Sequence, residues 1–149
     1  MTATFRKLAF AAFLSVSALG TLTMTSCNKD ETCDAGYEGS DCKTLSSAKF
    51  VGTYAVTEDC GGSYNVSITA ASTATSVIFS NLGNFAVATP AVVTAAANGN
   101  SLNFTDATDA QGRKFTGTAT LSGKNLTVNY TVKYTDNTTE TCVANMVKQ

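Results

Sequence analysis

From residue 49 onward, apolar and polar side chains alternate in short runs separated by turn-forming residues. Phe50, Gly52, Tyr54 and Val56 fall on one face of a strand. Tyr64, Val66, Ile68 and Ala70 share a face of the next, with Asn65, Ser67 and Thr69 opposite. Successive side chains of a strand point to opposite sides of a sheet, so this period of two predicts strands with one buried face. Ser76–Ser80 is a short apolar strand around Val77, Ile78 and Phe79. Phe85–Thr89 and Ala91–Ala96 are two strands, or one bent at Pro90, which has no N–H to give to a ladder. Leu102 and Phe104 mark another. The last three are the most regular: Phe115, Gly117, Ala119 and Leu121; then Leu126, Val128, Tyr130, Val132 and Tyr134; then Cys142, Ala144 and Met146.

The intervening segments are Cys60-Gly61-Gly62, Leu82-Gly83-Asn84, Asn98-Gly99-Asn100, Gln111-Gly112, Ser122-Gly123-Lys124-Asn125 and Asp136-Asn137. All carry turn chemistry. About eight or nine strands at this spacing, with no helical period, predict an all-β domain over 49–149: an antiparallel meander. Open strand edges invite pairing with other chains, so the meander is expected to close as a small barrel or sandwich.

The N-terminus follows other rules. In MTATFRKLAFAAFLSVSALG, Arg6 and Lys7 precede an uncharged apolar run from Leu8 to Leu19. A spanning helix needs ~20 apolar residues, and this run is shorter, so residues 1–26 are expected to be a cleaved signal peptide. Thr25 and Ser26 sit directly before Cys27, an arrangement that resembles a bacterial lipobox, with Met24 where that pattern prefers Leu. The resemblance implies that the Cys27 thiol is acylated and becomes the new N-terminus. Cys27-Asn28-Lys29-Asp30-Glu31 in turn resembles the export signal of surface lipoproteins in bacteroidete-type Gram-negative bacteria. That resemblance implies a lipid-anchored protein on the outer membrane, facing outward, with Lys29, Asp30 and Glu31 in a charged tether over 27–32. A buried acyl chain contributes ~0.8 kcal/mol per methylene, which gives a multiply acylated cysteine a firm hold on the bilayer.

Five cysteines leave four once Cys27 is assigned to lipid: Cys33, Cys42, Cys60 and Cys142. An even set in an oxidising compartment predicts disulfides, and four cysteines admit three pairings. A Cys60 to Cys142 bridge suits a closed meander, where first and last strands are neighbours. Residues 33–42 read C-x2-G-Y-x-G-x2-C and resemble the last disulfide loop of an EGF-like module. The resemblance implies a Cys33 to Cys42 bridge across a small hairpin, with Tyr37 packed over its own loop. The stapled loop, followed by a linker over 43–48, is expected to act as a spacer. Its acids Asp34, Glu38 and Asp41 lack calcium-loop spacing and are expected to be solvated.

Composition mostly removes functions. The chain has no histidine, which excludes Ser-His-Asp and Cys-His catalysis and His-ligated zinc. Losing Arg6 and Lys7 from ten basic residues leaves eight against eleven acidic ones, a balance that does not suit nucleic acid. Asn65, Asn103, Asn125, Asn129 and Asn137 lie in N-x-[ST] sequons, which alternating polar strand faces generate by chance. Glu58 with Asp59, and Asp106 with Asp109, are the candidate carboxylate pairs for glycoside cleavage. Each lies at a strand end or loop, where solvated acids are usual. Arg113 and Lys114 are expected to solvate a loop, and Tyr54, Tyr64, Tyr130 and Tyr134 to share the core with their parity partners.

These features predict a surface lipoprotein whose β domain is a non-enzymatic binding or structural module. It is expected to have no catalytic residue, metal or cofactor. Its contacts would be the membrane, through the anchor, and a protein or glycan at the cell surface. Lys49-Phe50-Val51-Gly52-Thr53-Tyr54 resembles the opening strand of lipocalin-like barrels, which implies the alternative of a carrier for a small apolar molecule.

Overall fold

A computed structural model of the chain describes residues 33–85 and 88–149. The leader 1–26, the proposed lipidation site Cys27 and the tether residues Lys29, Asp30 and Glu31 lie outside the described residues. Two short strands come first, β1 (Tyr37–Glu38) and β2 (Thr44–Leu45), followed by a 3-10 helix over Ser46–Phe50. Eight longer strands follow: β3 (Gly52–Glu58), β4 (Gly62–Ala70), β5 (Ser76–Ser80), β6 (Val92–Asn98), β7 (Ser101–Thr108), β8 (Lys114–Ser122), β9 (Asn125–Lys133) and β10 (Thr139–Lys148).

These eight form a closed barrel in which each strand pairs antiparallel with its neighbours in sequence, and β10 returns to β3. The β10–β3 seam registers Ala144 opposite Glu58 and Lys148 opposite Tyr54. The meander therefore closes as a barrel rather than splitting into a sandwich. At eight strands the lumen is just wide enough for side chains to fill it. Tyr54, Val66, Ile68, Val77, Phe79, Leu102, Phe115, Leu126, Val132 and Met146 all point inward and are essentially inaccessible. No water-sized void adjoins them, since a void would leave their surfaces exposed to a solvent probe. The alanines of β6 explain part of this fit. Ala95 and Ala97 are buried opposite Val77 and Leu102, and the Phe79 and Phe104 rings meet at 6.1 Å. Gly117 has a similar role opposite Tyr130. A Cβ there would run into the Asn129 carbonyl and the Tyr130 Cβ, so glycine lets the two strands and the tyrosine approach.

The outward faces are polar: Asn65, Ser67 and Thr69 on β4, Thr116, Thr118 and Thr120 on β8, and Asn129 on β9 are exposed. This is not the apolar band that a lipid-facing barrel requires. No helix among the described residues is long and apolar enough to cross a membrane.

The disulfide loop is not a free spacer. Cys33 and Cys42 are bonded, and Tyr37 pairs with Leu45 across β1 and β2. Tyr37 itself is 37% exposed. Residues 43–48, expected as a linker, hold the buried Ser46 and Ser47 and start the 3-10 helix, which also takes in Phe50, expected to open a strand. Long-range hydrogen bonds account for the change. The Ser46 hydroxyl accepts from Gly99 N–H at 3.1 Å, and the Ser47 hydroxyl donates to the Ala74 carbonyl at 2.6 Å. The Ser46 N–H donates to the Gly36 carbonyl at 2.9 Å. Gly36 lies so near Thr75 that a Cβ would collide with it. The helix and loop thus cap one end of the barrel, and the fully buried Phe50 plugs it.

One predicted strand, Phe85–Thr89, is not seen among the described residues. Phe85 lies in coil and Ala88 and Thr89 in a turn, while Ala86 and Val87 are outside the described residues. The Thr89 carbonyl accepts from an arginine side chain instead of a strand neighbour.

Candidate functional site

The end opposite the cap gathers the polar groups that the interior excludes. Four connections form this rim: 59–61 between β3 and β4, 81–91 between β5 and β6, 109–113 between β7 and β8, and 134–138 between β9 and β10. Two clusters of buried charge lie there, and both differ from expectation.

The first is centred on Glu58. Period two runs on from Tyr54 and Val56, so Glu58 points inward and is 5% exposed, not solvated. Its Oε1 accepts from the Tyr130 hydroxyl at 2.6 Å, and its Oε2 from the Tyr64 hydroxyl at 3.0 Å. The Tyr64 oxygen in turn accepts from Gly83 N–H at 3.0 Å, which ties the 81–91 connection to the cluster. Burial raises the Glu58 carboxyl above its ordinary value, the tyrosine hydrogen bonds oppose that rise, and Asp59 and Glu140 add to it. Burial, with the Glu58 charge, also pushes both phenols well above their usual range, so they remain donors. At the outer lip the Tyr134 hydroxyl donates to Glu140 at 2.7 Å. Burial first, then that carboxylate, pushes this phenol up to about 12. The four tyrosines are therefore inward-facing as expected, with Tyr54 and Tyr130 fully buried and Tyr64 and Tyr134 partly so.

Among the described residues no cation bonds to Glu58, and this has a measurable consequence. The folded state holds the Glu58 proton more tightly than the unfolded chain does. Its contribution to stability is complete below the ordinary value of 4.5 and declines as pH rises through the raised one. Glu58→Gln should remove this dependence. In thermal unfolding across a pH series, the variant should gain on the parent as pH rises from acid to neutral. Parallel curves would show that Glu58 titrates normally.

The second cluster joins Asp109 and Arg113. The β7–β8 register shifts between Phe104 and Ala107, and Asp106 adopts φ 49° at this bulge. The extra residue reverses the parity of the strand. Leu102 and Phe104 point inward before it, and Ala107 and Asp109 after it. Asp109 Oδ2 accepts from Arg113 Nε at 2.6 Å, and Oδ1 from the backbone N–H groups of Gln111 and Arg113 at 3.0 Å. Arg113 Nη2 donates to the Thr89 carbonyl at 3.0 Å, and its guanidinium lies 3.8 Å from the Phe85 ring centre. Arg113 is thus an 8%-exposed latch between two rim connections, not a solvating loop residue. Lys114, the next residue, is exposed.

The carboxylate pairs proposed from sequence are not brought together over a cleft. Glu58 is inside, whereas Asp59 is exposed and accepts from Val143 N–H at 2.9 Å. Asp106 is exposed at the bulge and Asp109 is engaged by Arg113. Cys60 and Cys142 are bonded across the β10–β3 seam with Cα atoms 5.8 Å apart. They lie with Glu58 in the one group of His, Cys, Asp and Glu among the described residues compact enough for a metal ion. Both sulfurs are committed to the disulfide, which leaves no thiolate ligand there. Compared with known proteins, the chain matches no family model, no curated protein and no solved structure.

Proposed function

We propose that the chain is an exported lipoprotein, anchored to the outer membrane through Cys27, whose barrel acts at the cell surface as a non-enzymatic binding or structural module. Residues 1–27 supply the leader and lipobox resemblance, and Lys29, Asp30 and Glu31 the surface-sorting resemblance. The four other cysteines pair among themselves, which agrees with an oxidising compartment. The observation that carries the reading is the docking of the Cys33–Cys42 loop on the capped end. The four rim connections lie at the opposite end of the barrel from this loop. The loop's resemblance to an EGF-like hairpin then concerns its staple alone, since it works here as a cap.

The filled interior favours this reading over a lipocalin-like carrier, which needs a lumen of at least ~300 Å³ lined by apolar groups. Intact-mass measurement of the purified mature protein, with and without reductant, tests the anchor. It should report an acyl increment on a chain beginning at Cys27 and a gain of four hydrogens on reduction. Cys27→Ala should release the protein from membranes, and protease added to whole cells should reach the anchored form. An unacylated mature chain cleaved elsewhere would overturn the localisation.

A further inference from the structure

The outer wall near the rim holds two lysines in an unfavourable arrangement. Lys114 on β8 and Lys133 on β9 are direct register partners, and both are exposed. The same row continues to Thr108 on β7 and Thr139 on β10. Partners so placed have Cβ atoms ~5 Å apart, and like charges there repel. A cross-strand acid at either position would relieve the repulsion, yet neither lysine has an ion-pair or hydrogen-bond partner among the described residues. None of the acids in the adjoining connections bonds to either lysine. Asp136 Oδ1 accepts from the N–H and hydroxyl of Thr138 at 2.9 and 2.6 Å, Glu140 from Tyr134, and Asp109 from Arg113.

Between the two lysines lies a groove of about 250 Å³, completed by Gly112, Tyr134, Thr135 and Asn137. The Thr135 hydroxyl and the Asn137 amide also lack partners among the described residues and add uncharged donors. We propose that this groove binds a doubly charged tetrahedral oxyanion, the sulfate or phosphate group of a larger ligand. Two register-paired lysines that no acid bonds match two negative charges on one centre, whose several oxygens can reach both at once. A single carboxylate would leave half of the charge unmatched. The proposal gives the binding role above one ligand chemistry and rests on that reading only for its place at the cell surface.

The test uses the mature protein in detergent solution, and its readout does not depend on the anchor, so its failure leaves that reading unaffected. Inorganic sulfate and inorganic phosphate are titrated separately while amide NMR shifts are followed, with chloride holding the ionic strength constant because exposed charges are screened by salt. Saturable shifts are expected at Gly112, Lys114, Lys133, Thr135 and Asn137, and the tighter of the two anions identifies the ester. Lys114→Gln and Lys133→Gln should each weaken binding about fivefold, the effect of losing one exposed ion pair. Lys124→Gln, on the hairpin at the other end of β8 and β9, should leave it unchanged. Lys133→Glu should abolish binding yet raise the melting temperature in low salt, because it replaces repulsion by attraction. Absence of saturable shifts, or equal affinity in the two glutamine variants and the parent, overturns the proposal.

Discussion

The double variant Cys60→Ala/Cys142→Ala is expected to lose about 4.5 kcal/mol of unfolding free energy, because its bridge closes a long loop in the unfolded chain. The cysteines are separated by 82 positions, so almost the whole barrel sequence lies between them. The native barrel has little to lose directly. Ala144 stands opposite Glu58, and extending that register by two residues puts Cys142 beside Cys60 with or without the bond. The effect should therefore appear as a lower denaturant midpoint and an unchanged native spectrum. Removing the Cys33–Cys42 bridge, whose separation is 9, should cost less, about 2.7 kcal/mol by the same relation. Reduction of the parent protein should reproduce the sum. Equal stability of parent and Cys60→Ala/Cys142→Ala, measured by urea unfolding, would show that the unfolded chain is already restricted by other means.

The second large effect is expected at Phe50. This side chain is wholly buried at the capped end, and its carbonyl accepts from the buried Tyr54 hydroxyl at 2.8 Å. Phe50→Ala removes a plug that strands alone do not replace, and substitutions of this kind cost about 4 kcal/mol, transfer and cavity terms together. Phe50→Leu should recover more than half of the loss. The helix that carries Phe50 also carries Ser46 and Ser47, so hydrogen exchange should accelerate at Gly99, whose N–H depends on Ser46. A small change in stability with normal exchange would mean that the cap is ornamental to the barrel. The disulfide loop would then be free to move as a spacer after all.

Much of the architecture was legible because one rule, alternation, governs every strand of a barrel with a single interior. Parity alone places Tyr54, Val66, Leu121, Val128 and Ala144 on the buried face. The departures have a common cause: parity is visible where side chains are apolar and hidden where they become charged, although strands do not end where hydrophobicity does. Carrying the period from Val56 to Glu58, or back from Phe115 to Arg113, would have put both inside. Asp109 was harder to place, since the bulge at Asp106 inverts the pattern and its only local sign is an Asp able to take positive φ. The helix at Ser46–Phe50 could not be read from its own residues. It depends on partners at Gly36, Ala74 and Gly99 that only the closed barrel brings near.

The seam between β10 and β3 also dictates when the protein can finish folding. The pairing of Ala144 with Glu58 and of Lys148 with Tyr54 joins the first barrel strand to the last. Until Thr139–Lys148 is available, β3 and β9 each lack a neighbour, and the Cys60 thiol has no partner in place. Such non-local closure slows folding. Under the export proposed above, the barrel stays open, and the chain threadable, until Thr139–Lys148 arrives.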